Sequence, residues 1–210
     1  MSEDYVEFTM PYARRYKNVY QLRIGLDRTE PEVWRRIQVP ESYTFYDLHV
    51  AIQDAMGWLE YHLFEFTEKQ AGYRADYRIV SVFDEPQELS SDIGWDYATE
   101  VPIKKFLNAE KDTILYRYDL GDNWEHSVTL EKILPREKCI GYPICIDGAL
   151  ACPPEDCGSI PGYYQCIAAV KNQDNEELLR WMGDWLPEFF SPQDVKFETP
   201  WKRMEIALDG

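Results

Sequence analysis

The stretch from Ile114 to Glu131 constrains this chain most, because polarity alternates on both sides of one tight turn. Ile114, Tyr116, Tyr118 and Leu120 share one face of a first strand, and Trp124, His126, Val128 and Leu130 share one face of a second. That is the period-two signature of a half-buried hairpin. Gly121-Asp122-Asn123 supplies the turn, since Gly121 and Asn123 tolerate positive φ and Asp122 can accept hydrogen bonds from turn amides. Asp119 and Asp122 then stand at the tip, with Trp124 and His126 just below.

The remaining segments take their places around this hairpin. Residues 1–17 show no period and read as a loosely held arm, leaving 18–210 as one domain. Val19–Asp27 and Val33–Val39 alternate on either side of turn material and form an opening hairpin. Thr44 and Asp47 make a capping box, and Phe45, Leu48, Ile52, Ala55 and Met56 recur at helical spacing until Gly57 ends the helix. Strands are expected over 59–67 and 73–80, a surface excursion over 83–100, and a short helix over 101–107. Residues 135–161, with five prolines, read as one long irregular loop. Helical spacing returns at 162–171 and 176–182, and the aromatic tail over 183–199 reads as a covering arm. The fold class is therefore α+β: a single domain with a mainly antiparallel sheet, helices on one face and a long Pro/Cys-rich loop.

Charge narrows the function classes. The formal charge is −16, from 22 Lys and Arg against 38 Asp and Glu. Proteins that hold nucleic acid neutralise phosphates with Lys and Arg, so this balance opposes a DNA footprint, and no specific nucleic-acid partner is expected. The sole basic cluster, Arg14-Arg15-x-Lys17 with Arg35-Arg36, reads first as solvated positions and second as a phosphate site. No apolar run approaches the ~20 residues that a bilayer span requires, so no membrane partner and a cytoplasmic location are expected. Five cysteines, an odd number, read as reduced thiols.

Two constellations could carry chemistry. Asp119, Asp122 and His126 could form a carboxylate-oriented histidine suited to base or metal duty. Their structural alternative, which is preferred, has the aspartates satisfying turn amides and His126 packed beside Trp124. The second is Cys152-Pro153-Pro154-Glu155-Asp156-Cys157, where the diproline would present Glu155 and Asp156 stiffly at a pocket rim. Cys152 and Cys157, with His126 as a third ligand, are the candidates for zinc or another divalent metal. Of the successive cysteine gaps of five, six, four and eight residues only that between Cys152 and Cys157 comes near the usual C-x₂₋₄-C pair, so no cofactor is predicted. The hairpin tip and the Pro-Pro-Glu-Asp loop are expected to meet, with Glu155 or Asp156 accepting from turn amides or from His126. His49 and His62 flank Trp58, with Trp34 above the same helix, and read as satisfied core residues more readily than as a pocket.

Several dense motifs run in order along the chain: Pro31-x-Val33-Trp34-Arg35-Arg36; Leu48-His49-x-x-Ile52-Gln53-x-x-Met56-Gly57-Trp58 with His62-Leu63-x-x-Phe66; Tyr118-Asp119-x-Gly121-Asp122-x-Trp124-x-His126; and Cys152-Pro153-Pro154-Glu155-Asp156-Cys157-Gly158 before Gly162-Tyr163. Together they resemble the plasmid Ri open-reading-frame-three-like family, from about residue 17 to about residue 197. The departures are Phe64, where the family often has His, and Ser159, where a second Gly is common. The resemblance implies an α+β fold and intracellular bacterial and archaeal relatives, some labelled as transposon passengers or TnpR-type resolvases. A serine recombinase needs a nucleophilic Ser among arginines and a basic helix-turn-helix, and a tyrosine recombinase needs Arg and His spaced around its Tyr. Neither constellation is present.

The function expected is a non-catalytic binding or interaction module associated with mobile-element gene families, its partner a small polar ligand or another protein. The alternative is a metal- or carboxylate-dependent hydrolase built on Asp119, Asp122, His126, Glu155 and Asp156.

Overall fold

The computed structural model describes residues 15–68, 77–84 and 94–209, with side chains as far as Glu205. Most of the expected arm, the first four residues of the expected strand over 73–80, and 85–93 of the expected excursion lie outside the described residues. Among the described residues eight strands form a single sheet: β1 (Asn18–Leu26), β2 (Trp34–Pro40), β3 (Phe64–Glu68), β4 (Tyr77–Val80), β5 (Gly94–Tyr97), β6 (Thr113–Tyr118), β7 (Trp124–Pro135) and β8 (Ile144–Ala149). Their order across the sheet is β5-β4-β3-β6-β7-β1-β2-β8, and every pair is antiparallel except β4 with β5. Four helices of the described residues accompany it: α1 (Phe45–Met56), α2 (Ser159–Asn172), α3 (Glu176–Met182) and α4 (Pro200–Asp209). The chain is thus a single α+β domain.

Alternation decides which sheet face is buried. Leu22, Ile24 and Leu26 of β1, Ile37 of β2, and Trp124, Val128 and Leu130 of β7 share a core with Phe45, Leu48, Ile52 and Ala55 of α1. The opposite face carries paired charges. Arg36 bridges Glu131 at 2.6 Å and Asp147 at 2.8 Å, Arg117 meets Glu65, and Gln21 donates to Glu131. An antiparallel sheet with one wet face takes this alternating form. Arg36 is therefore spent on carboxylates and Arg35 is buried, so the phosphate reading of the basic cluster loses both.

Helix α1 forms where its caps place it. Thr44 accepts from the Asp47 amide, the Asp47 carboxylate accepts from the Thr44 amide, and Gly57 at φ 90° returns its own amide to Gln53. Only glycine adopts that left-handed C-cap without strain. The helix is buried almost all round, because α4 lies against it away from the sheet.

Several boundaries differ from the sequence reading. The strand expected over 59–67 begins only at Phe64, since Trp58 to Leu63 are taken up as a connector. The helix expected over 101–107 is a single 3-10 turn, Ile103–Lys105. The excursion over 83–100 holds β5, and the irregular loop over 135–161 holds β8, a short edge strand whose register comes from β2. Both strands are short, and their pairing is set by tertiary neighbours more than by local pattern. Helix α2 starts three residues early, and α4 arises where the sequence pattern assigned no element. Among the described residues no helix is long and apolar enough to cross a membrane.

Candidate functional site

Three loops meet at one end of the sheet. Past Gly57 the chain folds Trp58 inward, its indole 5.0 Å from Tyr118 and 6.0 Å from Trp124, ring centre to ring centre. The same indole donates to Pro153 O at 2.9 Å. The β6–β7 turn lies alongside, with the Asp119 amide donating to Leu63 O at 3.0 Å. The loop after β8 closes the third side. Glu155 accepts from the Tyr118 hydroxyl at 2.7 Å and from the Leu59 amide at 3.3 Å, and Asp122 accepts from the Gly158 amide at 3.1 Å.

The turn itself differs from the expected one. Asp119 and Asn123, not Gly121, adopt positive φ, and it is Asp119 Oδ1 that accepts from the Gly121 and Asp122 amides. An aspartate two residues ahead of an amide closes such a turn unaided. The strand consequently ends at Tyr118, and Leu120, expected on the buried face, is exposed.

Held this way, Asp119 aims its other oxygen, Oδ2, at His62 Nε2 3.7 Å away, and Asp156 Oδ1 lies 2.8 Å from the same nitrogen. Asp156 also has positive φ, at 57°. Among the described residues, His62, Asp119 and Asp156 form the group whose ligand atoms all lie within 4.8 Å of one another. Asp119 is buried and Asp156 is exposed, so the cluster is open on one side. Of the sequence candidates, Asp119 and Asp156 stand in it, Glu155 and Asp122 tie the loops together beside it, and Trp124 is core beneath it. Glu155 is half-buried, and desolvation holds its carboxyl above the ordinary range despite the Tyr118 hydrogen bond.

His126 takes the preferred of its two sequence readings, the packed core residue, and so leaves the candidate site. It is fully buried, its ring 5.4 Å from Trp58 and 5.2 Å from Tyr116, and neither nitrogen has a side-chain partner. Burial pushes it down to about 3, so it is a neutral core residue, and it donates nothing to Glu155 or Asp156. The histidine at the loop junction is His62, one of the pair assigned to the core. His49 does keep that assignment, stacked 3.6 Å from Phe64 with Nδ1 2.8 Å from the Tyr116 hydroxyl. Nothing in local pattern separates the two. His62 is distinguished only by lying in the connector, where the two other loops happen to close.

Nor do Cys152 and Cys157 gather with His126. Cys152 is buried near Arg35, and Cys157 lies beside Cys166. Burial raises both thiols, Cys157 to about 12, which leaves little of the thiolate that binds metal or reacts. Titration of the native protein with an aromatic disulfide should modify exposed Cys139 first, and reach buried Cys152 and Cys166 only after unfolding. Rapid modification of Cys152 in folded protein would contradict this.

Behind Glu155 a cleft of about 330 Å³ opens between the α1 C-terminus, the Pro-Pro loop and the tail over 183–199. Its floor is Arg35, 1 % exposed. Inward alternation from Val33, just ahead of β2, through Arg35 to Ile37 was the available sequence sign that this arginine is buried. The tail covers the domain partly as expected: Trp185 donates to Cys152 O and Phe190 lies over Arg35, while Leu186 and Phe189 remain exposed.

The model of the plasmid pRiA4b ORF-3-like protein family matches residues 18–199. An uncharacterized protein of Sinorhizobium fredii, y4hQ, is 35 % identical over 173 residues, covering 79 % of this chain and 81 % of its own. The crystal structure of a protein of unknown function from Methanosarcina mazei Go1, MM3350, is 38 % identical with a TM-score of 0.74, covering 87 % of this chain and 99 % of that one.

Proposed function

The chain belongs to the plasmid pRiA4b ORF-3-like protein family, and from that premise we propose that it serves in the cytoplasm as a binding module whose recognition element is the His62, Asp119 and Asp156 cluster, holding a divalent first-row metal ion. The observation that carries this reading is convergence: three loops far apart in sequence each deliver one ligand atom to a single small volume. Separations of 2.8 and 3.7 Å bracket the roughly 3.0–3.4 Å edges that bonds of about 2.1 Å make in octahedral or tetrahedral shells. One imidazole with two carboxylates suits manganese, iron or zinc better than calcium, which takes oxygen donors. Three protein ligands with an open side leave coordination positions for a small polar ligand.

Calorimetry of chelator-stripped protein with manganese(II) and with zinc(II) is the test. One-to-one binding is expected, weakened at least about tenfold in His62→Ala and in Asp156→Asn, with unchanged thermal stability of the apo forms. Identical isotherms for wild type and both variants would sink the reading.

One observation favours a metal-dependent hydrolase as the second reading. Glu155, its carboxyl raised by burial, neighbours Asp156, where it would accept the proton released by a water that such an ion would activate. Metal-dependent turnover of p-nitrophenyl phosphate, abolished in Glu155→Gln with metal binding retained, would select the hydrolase over the module.

A further inference from the structure

The cleft behind Glu155 has a floor of unusual chemistry. Arg35 Nε donates to Ala55 O at 2.9 Å, and Nη1 donates to Trp34 O at 2.8 Å and Ala149 O at 3.0 Å. These bonds tie the α1 C-terminus to β2 and β8. Nη2 has no hydrogen-bond acceptor among the described residues, and no described carboxylate forms an ion pair with the guanidinium. Its charged-state neighbours are Cys152, Cys145 and Tyr163, groups that are neutral while protonated. A buried cation is ordinarily paired, because an uncompensated charge is costly to take out of water. Carbonyl dipoles offset part of that cost here and leave the net charge standing.

The walls are apolar and fixed. Phe190 lies with its ring centre 3.6 Å from Arg35 Cζ. The ring also lies close over Gly148, the residue paired with Arg35 across β2 and β8, where even a Cβ would come within 2.4 Å of Phe190 Cε1. Trp58 and Trp185 both line the cleft and have spent their indole N–H groups on Pro153 O and Cys152 O, so each can offer an incoming molecule only an apolar surface. The acidic groups on the wall are mostly engaged: Asp54 pairs with Arg203, Glu155 is bonded to Tyr118, and Asp194 remains, with Lys196 beside it in the lining. About 330 Å³ lies at the small end of ligand pockets.

We propose that this cleft binds a small organic carboxylate with a planar apolar body, its carboxylate on Arg35 Nη2 and its body against Trp58, Trp185 and Phe190. A carboxylate completes the arginine's hydrogen bonding and cancels its charge in one contact, and the aromatic walls supply the burial that a free inorganic anion would lack. The site does not depend on the metal reading, since its polar contact is Arg35 and not the His62 cluster.

The probe pair is 3-phenylpropanoate and 3-phenylpropanamide, which differ in charge and little in shape. Titration of the wild-type protein, followed by calorimetry and tryptophan fluorescence, should show the acid binding at least about tenfold more tightly than the amide. Trp185→Ala should weaken the acid several-fold, and Arg35→Gln should bring acid and amide to equal affinity. Should Arg35→Gln fail to fold, the acid-to-amide ratio in wild type and the Trp185→Ala effect still decide. Equal binding of acid and amide, no binding of the acid at millimolar concentration, or acid binding indifferent to Trp185→Ala would each overturn the proposal.

Discussion

Arg203→Ala is expected to lower the unfolding free energy by about 3–5 kcal/mol, one of the two largest effects anticipated in this protein. Arg203 reaches from α4 to Asp54 on α1, stands 3.0 Å from Glu198 and 3.9 Å from Glu60, and is the cation among three carboxylates. Asp54 is 3 % exposed in its side chain, and burial already raises its carboxyl. Removing the guanidinium leaves that carboxylate in the interior without its partner, a larger penalty than the pair itself contributes. The consequence reaches further than α4. Asp54 also accepts from the Glu198 amide, so the same contact fastens the tail that carries Phe190 and Trp185 over the cleft. Urea denaturation of wild type, Arg203→Ala, Asp54→Asn and the double variant Asp54→Asn/Arg203→Met checks this. The double variant should recover a large share of the loss, since it removes the stranded charge. A loss under about 1 kcal/mol in Arg203→Ala would place the pair with ordinary surface bridges.

Which parts of this architecture could be read in the sequence follows from where the information resides. The capping box at Thr44, the alternation of β1, β2, β6 and β7, and Gly57 as a stop are local signals, and each produced the element it implied. Strand β8 could not be read that way. Its six residues follow Pro143 and are held by pairing with β2, with a register shift between Arg36 and Ile37 that only the partner strand determines. The hairpin tip and the Pro-Pro-Glu-Asp loop meet, through Tyr118 with Glu155 and Asp122 with Gly158, rather than through turn amides or His126 as expected. The identity of the histidine was not legible, because His126 sits on the alternating face that strand geometry buries, and His62 occupies a connector with no period at all. Arg35 carried a sign that charge alone obscures: in a strand, parity outranks polarity, and a charged residue at inward parity belongs with the core.

Acidification supplies the other large effect. Burial pushes His126 down to about 3 and lowers His49 as well, whereas an imidazole in the unfolded chain takes a proton near pH 6.5. Above that pH neither state is protonated and stability does not respond to these residues. Between about 6.5 and 3 the unfolded chain binds a proton that folded His126 refuses, so the unfolding free energy falls as pH falls, by up to about 1.4 kcal/mol per unit for each such histidine. His126 alone should remove about 3 kcal/mol between neutral pH and about pH 4.5, and His49 adds to the loss. Asp54 and Glu155, both raised by burial, favour the folded state on protonation and blunt the decline without causing it. Urea midpoints at about pH 7.5, 6.5, 5.5 and 4.5 should therefore be flat at first and then drop. His126→Gln should be less stable at about pH 7.5 and yet decline less steeply below about 6.5, because its side chain has no proton to take up. Parallel declines in wild type and variant would show that the buried imidazole is not the group that acid attacks.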